Sequence, residues 1–228
     1  MMTPPDHSTT ETLLAEMELF ATLPPALLRD LATAVRWTAY PANSTIFWEG
    51  DPAAGLYILH HGWLKVIRTA NNGREQILKF LGPGETFNEI GALANQINPA
   101  TAISLETSMV GLLPRATVQS LIEAHPAFAI YLIEKLALRV NHLATLIADL
   151  SLRSVTSRLA SLLLSTSKED VLSRPRWYTQ AELAARLGTV PDVVQRALRQ
   201  LADEGAIEVA RHEIRVLDAP ALRRWAES

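Results

Sequence analysis

The sequence predicts an α+β protein with an N-terminal β domain, one long helix and a C-terminal helix-turn-helix domain. Over residues 37–115, turn signals separate short apolar runs about every ten residues, as in a sandwich or barrel. Over residues 129–150, apolar residues recur in steps of four and three, as in a coiled coil. Between Thr179 and Gly205, a helix, a glycine turn and a second helix follow one another.

The composition indicates a globular protein without thiol chemistry. The 228 residues are 48% hydrophobic and 20% charged, which is enough apolar surface for a real core. Because the chain has no cysteine, disulfides, thiolate zinc sites and iron–sulfur clusters are excluded. No run of 18 apolar residues and no signal peptide are recognisable, so a cytoplasmic protein without a membrane partner is expected.

Charge is divided unevenly along the chain. The formal net charge is −3, yet residues 151–228 carry a net charge of +2 and eleven of their twelve cations are arginine. Arginine binds phosphate and guanine through two parallel hydrogen bonds. The charge distribution alone is equally compatible with a nucleic-acid partner and with a solvated surface that is merely rich in arginine.

The N-terminal segment is predicted to be a polar tail followed by two helices. Residues 1–10 are polar and rich in proline, so a loose tail is expected there. Residues 11–36 have helical spacing, with Thr12 as the predicted cap. Pro24 and Pro25 break this segment, and a second short helix follows them.

A hairpin is predicted at Asn72-Gly73 in the β domain. Both central residues of a type I′ turn need a positive φ, which Asn and Gly tolerate. The apolar residues on either side are expected to face each other across two strands; they are Leu64, Val66 and Ile67 on one side and Ile77, Leu78 and Phe80 on the other.

The long helix is predicted to join two copies of the chain. Its strict alternation of four and three is narrower than the apolar face of an ordinary surface helix. A parallel coiled coil is therefore favoured, and packing against the chain's own β domain is the alternative. The predicted interface residues are Ile133, Leu136, Val140, Leu143, Ile147 and Leu150.

The C-terminal domain begins with a predicted helix over Arg153–Leu164 and a polar loop over Ser165–Arg176. Thr179 and Glu182 then form a capping-box pattern that starts the first helix of the motif. Gly188 is predicted to end that helix in a left-handed conformation.

The second helix of the motif is predicted to start at Thr189 and to end at Gly205, with a two-stranded wing after it. Its inward residues are Val194, Ala197, Leu198 and Leu201, and its exposed residues are Asp192, Gln195, Arg196, Arg199 and Asp203. Gln, Arg and Asp are the side chains that read base edges in the major groove. This face therefore predicts DNA binding.

The ordered set of motifs resembles the CRP/FNR family of transcription regulators over nearly the whole chain. The motifs are Ile46–Asp51, Gly73–Glu75, Leu81–Gly84, Phe87–Gly91, Asp149–Arg153 and Leu187–Ile207. The resemblance implies a jelly-roll sensor of the cyclic-nucleotide-binding type, a dimerisation helix and a winged helix-turn-helix. The implied divisions are 1–18 for the tail and start of the first helix, 19–125 for the sensor, 126–151 for the dimerisation helix and 152–228 for the DNA-binding domain.

The resemblance also implies the DNA contacts. Asp192, Gln195 and Arg196 match the family's three base-reading positions, and Arg199 matches a phosphate or base contact. Pro191 replaces an arginine that contacts DNA in some relatives. The implied set is Thr179, Gln180, Thr189, Asp192, Val193, Gln195, Arg196, Arg199 and Arg211, and the implied partners are a palindromic duplex and, for an activator, RNA polymerase.

The effector pocket implied by the resemblance lacks its phosphate-binding residues. The family's cassette uses Glu, then Arg and a small hydroxyl residue; Glu89 is present, but the other two positions fall on Pro99 and Ala100. A buried phosphate needs a paired charge or several donors, so the pattern argues against cyclic AMP. The implied pocket residues are Phe87, Asn88, Glu89, Ile90, Gly91, Pro99, Ala100, Thr101, Leu143 and Ala144.

The effector itself stays open. Some relatives bind haem, and His142 or His61, with His7 next, are the candidate ligands here. A metal pair at His60-His61 is disfavoured because adjacent strand residues point to opposite faces. Another small molecule, or no effector, are the other hypotheses.

Two other classes of function are the alternatives to a DNA-binding regulator. The first is a ligand-binding signalling module whose winged domain contacts proteins; such a module has no need of the arginine-rich face. The second is an enzyme, but the sequence contains no P-loop, GxSxG, HExxH or cysteine nucleophile. A non-enzyme is therefore predicted.

Overall fold

The computed structural model describes residues 2–94, 97–167 and 170–227, which fall into two compact units. The first unit is Met1–Arg68 with Leu78–Asn141, and the second is Thr69–Ile77 with His142–Ser228. The helices are α1 (His7–Glu16), α2 (Pro25–Ala34), α3 (Glu89–Ala94), α4 (Arg115–Ala124), α5 (Pro126–Leu152), α6 (Val155–Thr166), α7 (Gln180–Arg186), α8 (Pro191–Asp203) and α9 (Ala219–Ala226).

Eleven described strands form three sheets. They are β1 (Arg36–Tyr40), β2 (Thr45–Phe47), β3 (Gly55–His61), β4 (Leu64–Thr69), β5 (Glu75–Leu81), β6 (Thr86–Phe87), β7 (Thr101–Ser104), β8 (Ser108–Pro114), β9 (Val171–Ser173), β10 (Ile207–Val209) and β11 (Glu213–Val216). Two four-stranded sheets, ordered β1-β8-β3-β6 and β2-β7-β4-β5, make the predicted β domain. The α+β fold class is therefore confirmed, and the four-part division of the chain stays a prediction.

Alternation along β3 divides the core of the first unit into two clusters. Tyr57 and Leu59 point into the roll, where they meet residues from both sheets. Leu56 and Ile58 point the other way, onto α1, α2, α4 and the first turns of α5. The roll is therefore covered on one side by helices, as its apolar outer residues require.

The first helix begins four residues earlier than predicted. Asp6 is its N-cap, accepting a hydrogen bond from the Thr9 amide at 2.8 Å. Thr12 is therefore not a cap; its hydroxyl donates to the Ser8 carbonyl inside the helix. The polar residues before Thr12 gave no helical apolar spacing, because the first turn of the helix, residues 7–9, is exposed to solvent. The second helix, which starts at Pro25, was correctly predicted.

The predicted hairpin forms between β4 and β5, but its turn is not type I′. Gly73 has a φ of +80°, whereas Asn72 is not among the residues with positive φ. The Gly73 amide donates to the Ala70 carbonyl, and the Ala70 amide donates to the Arg74 carbonyl. This four-residue turn needs only one left-handed residue, which explains why Asn72 keeps an ordinary backbone.

Two boundaries in the second unit differ from the prediction. Arg153 lies in the break before α6, whose N-cap is Ser154. The predicted polar loop over 165–176 contains β9, which pairs with β11 and makes the wing three-stranded. A three-residue strand is too short to have a periodicity, so the sequence could not indicate it.

Gly188 holds the turn of the helix-turn-helix, and we expect Gly188→Ala to lower the free energy of unfolding by about 2–4 kcal/mol. Its φ is +65°, and an added Cβ would lie 2.5 Å from Leu150 Cδ2. Chemical denaturation of the whole protein measures the loss.

Gly205→Ala is the matched control for this prediction. Gly205 has a similar φ of +71°, but an added Cβ meets nothing within 4 Å. Gly205→Ala should lower the free energy of unfolding only by the backbone strain, about 1–2 kcal/mol. Equal losses for the two variants would contradict the steric part of the explanation.

Candidate nucleic-acid interface and effector pocket

The helix-turn-helix consists, as the sequence predicts, of two helices joined by a glycine turn. The Thr179 hydroxyl accepts a hydrogen bond from the Glu182 amide at 3.2 Å and starts α7. Gly188 turns the chain, and Pro191 occupies the first turn of α8. The four predicted inward residues, Val194, Ala197, Leu198 and Leu201, are all buried. Burial of this stripe fixes which face of α8 is left outside.

The outer face of α8 is polar and accessible. All five predicted residues are exposed: Asp192, Gln195, Arg196, Arg199 and Asp203. Val193, at the edge of this face, is half-buried. The face therefore offers one amide, two guanidinium groups and a carboxylate near the N-terminus of α8 to an outside partner.

The residues predicted around α8 differ in accessibility. Thr179 and Gln180 are exposed at the start of α7, whereas Thr189 is half-buried. Thr189 was wrongly predicted as the N-cap, because that position belongs to Val190, which makes no side-chain cap. The Thr189 amide instead donates to the Ala184 carbonyl and closes the turn.

The wing places one predicted DNA contact at its tip. Strands β10 and β11 pair antiparallel, with Val209 opposite Ile214. The Ala210 amide donates to the Glu213 carbonyl and closes the loop that carries Arg211. Arg211 is exposed.

Arg153 connects three helices of the second unit. Its guanidinium donates to Asp149 Oδ1 on α5 at 2.9 Å. On α6 it donates to Ser157 Oγ at 3.0 Å and to Ser161 Oγ at 2.7 Å. It also donates to the carbonyl oxygen of Ala226, one of the last carbonyls of α9, which have no partner inside the helix. Sequence reasoning missed this role because the Ala226 partner lies 73 residues away along the chain.

The interior of the roll is filled by aromatic side chains. The Tyr57 ring lies 5.0 Å from the Phe47 ring and 5.2 Å from the Phe87 ring, measured between centroids. Burial, and to a smaller extent the nearby Tyr40, raises the pKa of Tyr57 to about 12. Phe87, predicted as a pocket residue, is therefore part of a poorly hydrated core.

The turn that enters the predicted pocket is held by two of its own residues. Asn88 has a φ of +67°, and its Nδ2 donates to Asn98 Oδ1 at 3.0 Å and to the Gly55 carbonyl at 3.3 Å. A Cβ at Gly91 would come 2.7 Å from Asn88 Oδ1, so only glycine fits there. These contacts give Asn88 and Gly91 a structural role.

Glu89 and Ile90 begin α3 beside this turn. Glu89 Oε1 accepts a hydrogen bond from the Thr86 hydroxyl at 2.8 Å, and the residue is half-buried. Ile90 is 42% exposed. The carboxylate of Glu89 keeps its second oxygen for another donor.

The positions that should bind a phosphate in the family's cassette are uncharged and differ in exposure. Pro99 is exposed, whereas Ala100 and Thr101 are buried. A cation nevertheless reaches this segment from the neighbouring strand: Arg68 of β4 donates to the Pro99 carbonyl at 3.3 Å. Sequence reasoning missed Arg68 because it predicted only the pairing of β4 with β5, whereas Arg68 comes close to Pro99 through the pairing of β4 with β7.

The predicted seam of α5 is accessible in the single chain. Ile133, Val140 and Ile147 are 64%, 64% and 65% exposed. Leu136, Leu143 and Leu150 alternate with them and are half-buried, and Ala144 is exposed. One apolar stripe of α5 is thus left without cover over at least four turns.

The candidate histidines lie on three different elements. His61 and His142 are exposed on β3 and α5, and His7 is exposed on α1. The His60 ring packs edge-on to Trp37 at 5.7 Å, and burial lowers its pKa, with His61 contributing. Within the described ranges, no three His, Cys, Asp or Glu side chains form a group able to hold a metal ion. None of the described helices has the length and apolar character needed to cross a bilayer.

Two family models match the chain along its length. The model of the cyclic nucleotide-binding domain matches residues 37–125, and that of the Crp-like helix-turn-helix domain matches residues 157–225. The two matches cover the roll with α4 and then α6 through most of α9.

Curated relatives match both halves together. The cyclic AMP receptor protein of Thermus thermophilus is 32% identical over 189 residues, which is 82% of this chain and 86% of that protein. The CRP-like cAMP-activated global transcriptional regulator of Mycobacterium tuberculosis is 27% identical over 222 residues, covering 95% and 99% of the two chains.

The fold is also found in a solved structure. FixK2 from Bradyrhizobium japonicum superposes with a TM-score of 0.74 at 20% identity, over 84% of this chain and 96% of FixK2. The predicted resemblance is thus confirmed, and the alternative hypotheses of an enzyme and of a module that contacts only proteins gain no support. The chain belongs to the CRP/FNR family of DNA-binding transcription regulators.

Proposed function

We propose that the protein acts as a homodimer that reads a palindromic operator through the outer face of α8. The single observation that carries this is the separation of α8 into a buried apolar stripe and an exposed stripe of Asp192, Gln195, Arg196 and Arg199. Two copies related by a two-fold axis would place their α8 helices in successive major grooves, about 34 Å apart.

Dimerisation through the seam of α5 is supported by the exposure of its apolar side chains. Complete burial of an Ile or Val side chain is worth about 1.5–3 kcal/mol. Ile133, Val140 and Ile147 stand at alternate seam positions and are about two-thirds exposed in the single chain. If the six seam residues pair with those of a second copy, the exposed set (Ile133, Val140 and Ile147) and the half-buried set (Leu136, Leu143 and Leu150) both become buried.

The base-reading roles follow from side-chain chemistry and position. We assign Gln195 to adenine, Arg196 to guanine and Asp192 to cytosine, because each side chain offers the matching donors or acceptors. Arg199, Thr179, Gln180 and Arg211 surround this face and are assigned to phosphates, with Val193 and Thr189 at its edge. RNA polymerase would be the further partner if the protein activates transcription.

The sensor domain is proposed to have lost the family's way of binding cyclic AMP. Pro99 and Ala100 offer neither charge nor side-chain donor, and Leu143 and Ala144 offer no polar group to a purine. A buried phosphodiester without a cation would lose several kcal/mol. The separate hypothesis of haem binding is tested by an absorbance spectrum recorded with and without added haem. The three candidate ligands, His7, His61 and His142, are all exposed.

Arg196→Ala tests the assignment of α8. We expect operator affinity to fall by about 1–3 kcal/mol and specificity to relax at one base position in each half-site. Selection from a randomised duplex library, followed by titration at two salt concentrations, measures both quantities.

Arg199→Ala and Arg223→Ala are the comparisons for this test. Arg199→Ala should weaken all sequences evenly and reduce the salt slope by about one. Arg223→Ala removes an equal charge from the exposed side of α9 and should change neither quantity. An unchanged base preference in Arg196→Ala would overturn the assignment of Arg196.

A further inference from the structure

The guanidinium group of Arg68, on strand β4, lies beside residues 99–101, a segment that has no cation of its own. Strands β4 and β7 pair with Ile67 opposite Thr101, and Arg68 follows one residue beyond this pair. Its Nη1 donates to the Pro99 carbonyl at 3.3 Å, and its Nη2 lies 2.8 Å from Glu49 Oε1. We name Arg68, Glu49 and Pro99 the Arg68 cluster.

Thr101 fixes the backbone of Glu49 beside the cluster. Its hydroxyl accepts a hydrogen bond from the Glu49 amide at 3.0 Å. The residue is only 6% exposed, so this contact has a fixed place at the edge of the roll. The guanidinium group of Arg68 suits an oxyanion such as a phosphate group.

The ion pair in the cluster is of a kind that exchanges readily. The Arg68 and Glu49 side chains are 58% and 33% exposed, and ion pairs with this exposure contribute little to stability. The Glu49 carboxylate therefore competes only weakly for the guanidinium. A ligand anion that brings additional contacts could displace it.

We propose that the Arg68 cluster is the anion-binding subsite of this sensor, and that it receives a small molecule carrying a phosphate monoester. This inference deepens the proposed function, on whose sensor role it rests. Arg68 supplies the charge that position 99 cannot, and Glu49 is the internal competitor that the ligand replaces. The ligand's phosphate would lie nearer to solvent than a phosphate bound by the buried residues 100 and 101.

The two members of the ion pair predict effects of opposite sign. Arg68→Gln removes the charge, so phosphate binding should weaken at least tenfold. Glu49→Gln removes the competitor, so binding should tighten about three- to fivefold, the scale of an exposed ion pair. Two variants that merely disturbed the fold would both weaken binding.

The experiment titrates the full-length protein and its variants with AMP by calorimetry. Adenosine, which lacks the phosphate, is the neutral comparison, and inorganic phosphate separates the anion from the nucleoside. Arg74→Gln is the matched control because Arg74 is an exposed arginine in the hairpin turn outside the cluster. It should leave binding unchanged, and circular dichroism checks the fold of every variant.

Weaker binding in Arg68→Gln together with tighter binding in Glu49→Gln supports the proposal. It is overturned if Arg68→Gln binds AMP as the unchanged protein does, if Glu49→Gln binds no more tightly, or if neither AMP nor phosphate binds at all. Operator binding is measured on the same samples without ligand. If the unchanged protein does not bind an operator, the proposed function is refuted, whereas the result on ligand binding by the Arg68 cluster still stands.

Discussion

Val140→Glu should convert the protein to a monomer and weaken operator binding by at least a hundredfold. The substitution puts a carboxylate into the apolar seam, where two symmetry-related copies would face each other across the interface. Desolvating such charges costs several kcal/mol, which corresponds to a dimer dissociation constant raised at least a thousandfold. A monomer also loses the gain from binding two half-sites at once, about 10²–10⁴-fold.

Leu138→Glu is the matched control for the seam. Leu138 and Val140 lie on the same helix and are both 64% exposed in the single chain. Their directions differ by about 200°, since each residue advances the helix by about 100°. Analytical ultracentrifugation should give a dimer for Leu138→Glu and a monomer for Val140→Glu. A dimer for both variants would refute the seam.

Arg153→Met is expected to lower the free energy of unfolding of the second unit by about 2–4 kcal/mol. Hydrogen bonds to charged groups contribute about 1.5–3 kcal/mol each, and partial exposure of Arg153 reduces that contribution. The substitution leaves Asp149 without its ion pair and the Ala226 carbonyl without its guanidinium donor. Hydrogen exchange should therefore rise first in α9.

Arg224→Met serves as the comparison for Arg153. Arg224 is exposed on α9, so replacing it should change stability by no more than about 0.5 kcal/mol. Urea denaturation gives the free energies, and exchange measured by mass spectrometry locates the opening. Unchanged protection of α9 in Arg153→Met would show that the Ala226 contact does not hold this helix in place.

The helix-turn-helix was predictable because its information is local. Thr179 caps, Gly188 turns and the apolar residues of α8 recur every three or four positions, so each feature lies within one or two turns of the chain. The four inward residues predicted from this spacing are all buried. The predicted cap at Thr189 was wrong by one residue: α8 starts at Pro191, so the N-cap is Val190 and Thr189 precedes it. The pattern of residue types did not fix this boundary, which depends on the backbone conformation.

The missed features depend on residues far apart in sequence. Strand β9 exists because β11 lies beside it, and its own three residues carry no period. The partner of Arg153 at Ala226 and the approach of Arg68 to Pro99 span 73 and 31 residues. No window along the chain contains both members of either pair.

The residues alone were sufficient for the order of the domains, the accessible apolar stripe of α5 and the outward face of α8, because these depend on periodicity and on capping within a few residues. They also excluded thiol chemistry, since no cysteine is present. Only the folded chain decided which charged side chain lies beside Pro99 and which side chain binds the last carbonyl of α9. Strand pairing and helix packing bring distant side chains within hydrogen-bonding distance, and that proximity is a property of the tertiary structure.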